Sequence, residues 1–386
     1  MIWRTIEYDF YFAALHMNTI NSNDTLPFKK FGFDGDKYLR LQREKILDRI
    51  SNFSGGRLYL EIWGKFMSDA HASRVLPGFH ADSKRNIFTA LKDQADVLFC
   101  VSAKDIIDDR QLSNQDIDFK QYVRNMLRTI EKNIGIRPHL VINAIDVGYM
   151  FDVVLAFEKE FQRKNYRVWE RYKINGYPAN TDMVLSEEGF GRDDHIPLTK
   201  NLILVTGAAS SSGKMSTCLG QIYLDHEIWI KSGYAKYETF PIWNLPLNHP
   251  INLAYEAATA DIGDHNEMDL LHKKAYKIDS VNYNRDIEAF GIVMDIARKI
   301  VTHKNYMIKY QSPTDMGINC AGYAITDDEI VSIASLQEIR RRRDRYAEVI
   351  ARGEGEQQRI ERCDELEAKC LEYCATKKYN TKMILY

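Results

Sequence analysis

The residues that most clearly suggest chemistry form a short stretch rich in glycine and serine, GAASSSGKMS, from Gly207 to Ser216. It follows the apolar run NLILVT and precedes a helical pattern. A strand, a small-residue loop and a helix in this order are typical of a P-loop, in which backbone N–H groups and a lysine hold phosphate oxygens. The residues expected to bind phosphate are Gly207, Ser212, Gly213, Lys214 and Ser216.

The spacing of this stretch departs from a standard P-loop. Five residues rather than four separate Gly207 from Gly213, and Met215 stands where Ser or Thr normally contacts Mg²⁺. The alternative is a serine-rich turn with a solvated Lys214. The motif predicts phosphate binding, with ATP or another nucleotide and Mg²⁺ as the cofactors it would serve, but it does not identify a Walker NTPase.

A second segment, residues 233–263, mixes polar groups with aromatic residues and three prolines, and has no clean period. Ordered irregular segments of this length are usually functional, and such a composition suits a ligand pocket. A Lys–Glu pair could act as acid and base, so the catalytic candidates are Lys236, Glu238 and Asp261. We expect the segment to pack against the phosphate loop. The alternative is a packed irregular layer whose polar groups bind its own backbone.

Further polar clusters supply candidates for substrate binding. Several follow the first predicted strand, and others belong to the long segment or to the stretches VNYNRD and SPTDMG. The residues after the first strand could bind an anion or form a loop with a capped helix, and the stretches VNYNRD and SPTDMG could each be a helix cap or a pocket wall. The candidates are Lys65, His71, Arg74, Asn244, His249, Asn284, Arg285 and Asp315.

The stretch DIGDHNEMD contains carboxylates and one histidine that could bind Mg²⁺ or Mn²⁺. The same pattern is typical of a turn and a helix cap, which is the interpretation we favour. The metal ligands, if any, are therefore left unassigned.

Short apolar runs alternate with helical patterns along the chain. The runs are RLYLEI at Arg57–Ile62, DVLFCVS at 96–102, HLVINA at 139–144 and NLILVT at 201–206. This alternation predicts an α/β fold, a mostly parallel Rossmann-like sheet with helices on both faces. Because NLILVT is almost continuously apolar, it should be an interior strand. A run rich in Glu, Arg, Ala and Leu after Asp327 predicts a helical C-terminal region, two helices separated by a glycine break.

The 386 residues suggest more than one structural unit. We divide the chain into an N-terminal extension (1–28), a Rossmann-like α/β domain (29–200), a region with the P-loop-like turn and substrate pocket (201–326) and a helical C-terminal segment (327–386).

Composition excludes several classes of protein. Apolar residues make up 45% of the chain, which excludes a disordered tail or collagen-like fibre, and the net charge of -2 gives no reason to expect nucleic acid or membrane partners. The six cysteines form no C-x-x-C pair, and neither a signal peptide nor a membrane-spanning apolar run is evident. We expect a cytoplasmic protein with reduced thiols and a small-molecule substrate, and a homo-oligomer is compatible with the sequence.

Seven segments of the chain together match the pattern of a known family. They are KKFGFDGDKYL (29–39), HASRVLPGF (71–79), SEEGFGRDD (186–194), SGKMSTCLGQ (212–221), residues 233–261, VNYNRDIE (281–288) and SPTDMGINCAG (312–322). On these segments the chain resembles domain-of-unknown-function family eighteen-forty-six, whose members are uncharacterised and mostly bacterial. The resemblance implies an α/β protein of several subdomains with no assigned reaction. Two features differ from the family pattern: the loop before Ser-Gly-Lys has less Gly and Pro, and the usual further C-terminal subdomain is apparently lacking.

Three functional hypotheses follow. The first is an enzyme that binds a nucleotide or phosphorylated metabolite and carries out group transfer or ligation. The second is a non-catalytic protein that binds the same kind of ligand. The third is a metal-assisted hydrolase built on Asp261, Asp264, His265 and Asp269.

Overall fold

The central feature of the fold is a seven-stranded sheet in which every neighbouring pair of strands is parallel. The computed structural model describes residues 28–64, 66–110, 117–260, 263–353 and 355–385. Residues 1–27 of the predicted extension at 1–28 and the candidates Lys65 and Asp261 lie outside the described residues. The strands are β1 (Arg57–Ile62), β2 (Ala95–Ser102), β3 (His139–Ile145), β4 (Val168–Tyr172), β5 (Leu202–Gly207), β6 (Ser232–Tyr237) and β9 (Gly317–Ile318), with β7 (Asn266–Met268) and β8 (Val281–Tyr283) forming a separate antiparallel pair.

The strand order is β4-β3-β2-β5-β1-β6-β9. β5 therefore lies in the interior, with Leu202 opposite Leu58 of β1 and Ala95 of β2. This confirms the prediction from NLILVT: residues 202–206 are buried because neighbouring strands and helices cover the strand.

Helices cover the sheet and build a further layer beyond it. Among those that approach the strands, the helix after β5 contacts β1, β5 and β6. The helices are α1 (Gly35–Ser51), α2 (Ala70–Val75), α3 (Ser83–Ala90), α4 (Ala103–Ile107), α5 (Phe119–Ile134), α6 (Phe151–Arg163), α7 (Thr181–Val184), α8 (Lys214–Glu227), α9 (Pro250–Ala258), α10 (Leu270–Tyr276), α11 (Asn284–Ile300), α12 (Pro313–Met316), α13 (Asp328–Ala351) and α14 (Gln358–Lys377).

The C-terminal region is helical, as predicted, and α13 and α14 are separated at the expected glycine break. They pack on α9 and enclose a second apolar cluster, distinct from the one around the sheet. Cys363, Cys370 and Cys374 lie buried on α14 as free thiols. No helix in the described part of the chain is both long and apolar enough to cross a membrane.

The segment at 233–263 is more regular than its sequence indicates, because it contains most of β6 and all of α9. All six residues of β6 are buried, so the strand lacks the alternation of a half-exposed strand. α9 begins at Pro250, and the His249 ring accepts a hydrogen bond from the Ile251 N–H. The aromatic and proline-rich remainder connects these two elements.

The predicted boundary at residue 200 falls within one sheet. β5, β6 and β9 follow that residue in sequence, yet they pair in the same sheet as the four strands that precede it. The candidate residues on both sides of the boundary therefore share one scaffold.

Candidate functional site

The order of the strands creates a crevice beside the phosphate loop. The chain leaves β2 towards β3 on one side, whereas it leaves β5 towards β6 on the other. Neighbouring strands whose connections diverge in this way form a topological switch point, and α/β proteins bind ligands there, at the carboxyl ends of the strands. Residues 208–213 follow β5 directly, so they border this crevice.

The loop is compact and presents backbone rather than side chains at the start of α8. Gly213 precedes α8 with φ +85°, and none of the described side chains caps the helix. A Cβ added at Gly213 would lie 2.8 Å from the Cβ and Cγ of Asn143, and one at Gly207 would lie 2.1 Å from Ser212 Oγ. Both positions therefore require glycine, and the uncapped N–H groups of α8 are a local source of positive potential.

Arg171, a buried residue of β4, forms hydrogen bonds that support the loop between β5 and α8. Arg171 donates to Asn143 Oδ1 at 3.1 Å, to Ser216 Oγ at 3.2 Å and to Asp193 Oδ2 at 2.6 Å. The amide of Asn143 donates in turn to the Ser212 carbonyl at 2.9 Å. The side chain of Ser216, which was predicted to bind phosphate, therefore accepts a hydrogen bond from Arg171 in this structure.

Lys214 is the first residue of α8 and is only 7% exposed. Its Nζ donates to the carbonyl oxygens of Ala209 at 3.1 Å and Ser210 at 3.5 Å. Within the described residues, no carboxylate forms an ion pair with it. The positive charge is therefore buried, and its hydrogen-bond acceptors among the described residues are carbonyl groups of its own loop.

Three cationic side chains converge on the indole ring of Trp63, the residue after β1. Nitrogens Nζ of Lys236 and Lys214 lie 4.9 Å and 5.3 Å from the ring centroid, and the Arg285 guanidinium carbon lies 5.7 Å from it. These distances are typical of cation–π contacts. We call Trp63, Lys214, Lys236 and Arg285 the Trp63 cluster; it brings together candidates from the phosphate loop, from β6 and from α11.

Buried carboxyl groups adjoin this cluster. Lys236 Nζ forms an ion pair with Asp286 Oδ1, and Tyr234 donates its hydroxyl to Glu61 Oε2 at 2.5 Å. Burial by itself lowers the pKa of Lys236, but the charges of Asp286 and Glu61 outweigh it and raise that pKa. Burial, and then the charge of Asp286, raise the pKa of Glu238 well above its usual value. Both effects favour the protonated form of Glu238 beside Asp286.

The described acidic residues after α9 contact different partners rather than one another. Asp264 Oδ2 pairs with Arg285 Nη2, and His265 Nε2 contacts Glu267 Oε1 at 2.8 Å. Asp269 accepts from the His272 N–H at the start of α10. The main-chain N–H of His265 donates to Asn284 Oδ1 at 3.3 Å. Across the described ranges, no group of three or more His, Cys, Asp or Glu residues is arranged to hold a metal ion.

The remaining substrate-binding candidates make their contacts elsewhere. His71 and Arg74 both reach Glu338 of α13, with Arg74 Nε 2.9 Å from Glu338 Oε2. His249 Nε2 lies 2.8 Å from Asp328 Oδ1, and Asp315 Oδ2 accepts from the Tyr276 hydroxyl at 2.9 Å.

Asn244 lies against Gly322, where an added Cβ would meet its Oδ1 at 1.9 Å. A hollow of about 520 Å³ between α4, α5 and α6 is lined by other residues, including Phe119 and Phe157. Neither feature involves the Trp63 cluster.

Sequence reasoning assigned no role to Trp63, Glu61, Arg171 or Asn143, and it treated Asp286 only as part of the polar stretch VNYNRD. A pattern that could have revealed the first two is the alternation Tyr59-Glu61-Trp63 in and after β1, since alternate residues of a strand share one face. The matching alternation in and after β6 places Tyr234, Lys236 and Glu238 on one face. The contributions of Arg171 and Asn143 depend on tertiary contacts between distant strands.

Comparison with known proteins gives a family but no activity. Residues 31–370 match the family model described as "Domain of unknown function DUF1846, N-terminal". The chain is 44% identical over 316 residues to UPF0371 proteins of Streptococcus pneumoniae strains JJA and D39. The match covers 81% of this chain and 62% of each relative, so the chain spans less than two thirds of the length of these curated relatives.

Proposed function

We propose that this chain, which belongs to the DUF1846 family, binds the phosphate groups of a nucleotide or another phosphorylated small molecule at the loop between β5 and α8. The ligand would lie at the carboxyl edge of the sheet, between that loop and the Trp63 cluster. The positively charged groups there would hold its phosphate oxygens. The proposed activity is transfer of a group between this ligand and a second small molecule.

The buried Lys214 carries this proposal. A buried cation is costly unless an anion or several hydrogen bonds compensate it, and the described residues provide two carbonyls and no carboxylate. The positive end of α8 adds to the cost. A phosphate that accepts from Lys214 and from the helix N–H groups would supply the missing anion, with about 1.5–3 kcal/mol for each charge-assisted hydrogen bond.

The group-transfer part rests on Glu238, Asp286 and Lys236. A carboxyl group that keeps its proton at neutral pH can donate it to a leaving group, and a neighbouring carboxylate can accept one. The ion pair with Lys236 orients Asp286. This arrangement of a proton donor beside a proton acceptor favours an enzyme over a protein that only binds.

A magnesium ion in this proposal arrives with the ligand. Mg²⁺ is commonly held by substrate phosphates and one or two carboxylates rather than by a complete protein cage. Asp286 is already paired with Lys236, and Glu61 with Tyr234. The described residues therefore fit an ion carried on phosphates better than a resident metal.

The test is a thermal-shift screen of nucleotides and phosphorylated metabolites, with and without Mg²⁺, on the wild type and on Lys214→Ala. A ligand at 100 times its dissociation constant should add about 2.7 kcal/mol of stability to the wild type. We expect Lys214→Ala to bind the same ligand about tenfold or more weakly, because it loses a charge-assisted contact worth about 1.5–3 kcal/mol.

The matched control is Lys45→Ala, which removes an exposed lysine of α1 whose ion pair among the described residues is with Asp48 at 3.2 Å. It should bind as tightly as the wild type. Equal ligand-induced shifts in the wild type and in Lys214→Ala would show that the loop is a structural turn.

A further inference from the structure

Arg285 differs from the other two cations of the Trp63 cluster because solvent reaches it. Its side chain is 43% exposed, whereas Lys214 and Lys236 are buried. An anion that approaches from solvent would therefore meet Arg285 before the two lysines. The guanidinium lies at the start of α11, and both it and the Lys214 ammonium contact the indole ring of Trp63.

Arg285 already holds an anion that belongs to the protein. Its Nη2 donates to Oδ2 of Asp264, whose side chain is only 6% exposed. In the described part of the chain, this carboxylate is the sole hydrogen-bond partner of the guanidinium. Arginine binds carboxylate and phosphate with the same fork of N–H donors, so both anions suit the same position.

We infer that Asp264 is an internal competitor for the anionic ligand: its carboxylate occupies Arg285 until a phosphate group displaces it. The inference rests on the proposed function and extends it by one specificity-determining residue. A phosphate oxygen that replaces Asp264 would bind Arg285 while neighbouring oxygens of the same ligand reach Lys214. A ligand with several phosphate charges gains both contacts at once, which favours diphosphates and triphosphates over monovalent anions.

Such competition predicts an unusual result, a substitution near the site that strengthens binding. The apparent affinity of a ligand is its intrinsic affinity multiplied by the fraction of protein whose binding group is free. Because Asp264→Asn frees Arg285, this variant should bind inorganic pyrophosphate about fivefold more tightly than the wild type. Asparagine keeps the shape and one acceptor oxygen but loses the charge. Arg285→Gln should bind pyrophosphate about tenfold more weakly, since the charge-assisted contact is lost.

The experiment is calorimetric titration of the whole chain with inorganic pyrophosphate. The proteins compared are the wild type, Asp264→Asn, Arg285→Gln and the double variant, with melting curves to show that each is folded. Because Asp264 acts through Arg285, the double variant should bind like Arg285→Gln alone. If Asp264→Asn does not fold, Asp264→Ser removes the same charge and replaces it in the series.

The outcomes separate this inference from the proposed function. Unchanged or weaker binding by Asp264→Asn, with binding that still depends on Lys214, would overturn the competition and leave the phosphate site intact. Tighter binding that persists in the double variant would show that Asp264 acts by general charge repulsion, which also overturns it. No pyrophosphate or nucleotide binding by any variant would overturn both.

Discussion

Glu238 is the residue at which burial and a neighbouring charge most directly suggest a chemical role. Both effects raise its pKa above the usual value, so the folded protein holds the proton more tightly than the unfolded chain does. The sign follows from linkage: this stability is fully present below the unfolded pKa of about 4.3, and it is lost as pH rises through the folded pKa. The wild type is therefore destabilised at higher pH by the ionisation of Glu238.

Glu238→Gln tests this directly, because glutamine has nearly the same shape and does not ionise. We expect the melting temperature of Glu238→Gln, relative to that of the wild type, to rise steadily as pH increases from 5 to 9. The control Glu348→Gln alters an exposed residue of α13 and should give a constant difference. A constant difference for Glu238→Gln as well would mean that Glu238 is ionised in the folded protein throughout this range.

At the residue scale, sequence patterns predict a chemical role when the residues that contribute to it are close together in the chain. Lys214 was predicted as a charge at a helix start because glycine, lysine and serine adjoin it in the chain. The ion pair of Lys236 with Asp286 joins residues 50 positions apart, so no local pattern could predict it. The same is true of Trp63, whose role depends on three side chains from separate elements.

The loop between β5 and α8 is the element whose shape the proposed site depends on most. Gly213 combines a left-handed backbone, φ +85°, with close packing against Asn143. Gly55 has a similar φ of +77°, but no atom of the described residues lies within 4 Å of its added Cβ. Comparing alanine substitutions at these two glycines therefore separates the energetic cost of backbone strain from that of steric clash.

We expect Gly55→Ala to lower the free energy of unfolding by about 1 kcal/mol, the cost of alanine in a left-handed conformation. Gly213→Ala should cost about 1–3 kcal/mol more, since its methyl group must displace Asn143. Chemical denaturation of both variants measures the difference. Equal costs would show that Asn143 moves aside without strain and that its hydrogen bonds with Arg171 and Ser212 do not hold the loop rigidly.

At the element scale, the fold was predictable wherever apolar runs and helix patterns were clean. β5 and the two C-terminal helices were predicted from such patterns. β6 was not, because its buried sequence SGYAKY contains serine, glycine and lysine and so shows neither an alternating pattern nor an apolar run. α9 was missed because its sequence, PINLAYEAA, is largely apolar and adjoins prolines and aromatic residues. Burial by distant parts of the chain, which local sequence does not encode, decides both cases.

At the scale of the whole molecule, Glu338 connects two layers of helices. It is buried on α13 and accepts from Arg74 of α2 as well as from Arg341 and Arg342 of its own helix. His71 Nδ1 lies 3.2 Å from the same carboxylate. Burial alone raises the pKa of Glu338, but Arg341, His71 and Arg74 outweigh it and hold that pKa well below its usual value.

We predict that this carboxylate holds the C-terminal helices against α2. Glu338→Gln should lower the free energy of unfolding by about 3 kcal/mol at pH 7, because removing one charge of a buried pair leaves the other uncompensated. A depressed pKa stabilises the fold above the unfolded pKa of about 4.3, and this contribution is lost as pH falls below it. The difference between the wild type and Glu338→Gln should therefore shrink between pH 5 and pH 3.

The control for this prediction is Glu365→Gln, whose side chain is 63% exposed and pairs with Arg362 at 2.9 Å. An exposed pair of this kind contributes about 0.5 kcal/mol or less, so the control should differ little from the wild type at any pH. Urea denaturation at several pH values measures both variants. If Glu338→Gln were as stable as Glu365→Gln at pH 7, the arginines around Glu338 would be satisfied by other partners, and apolar packing alone would hold the C-terminal helices in place.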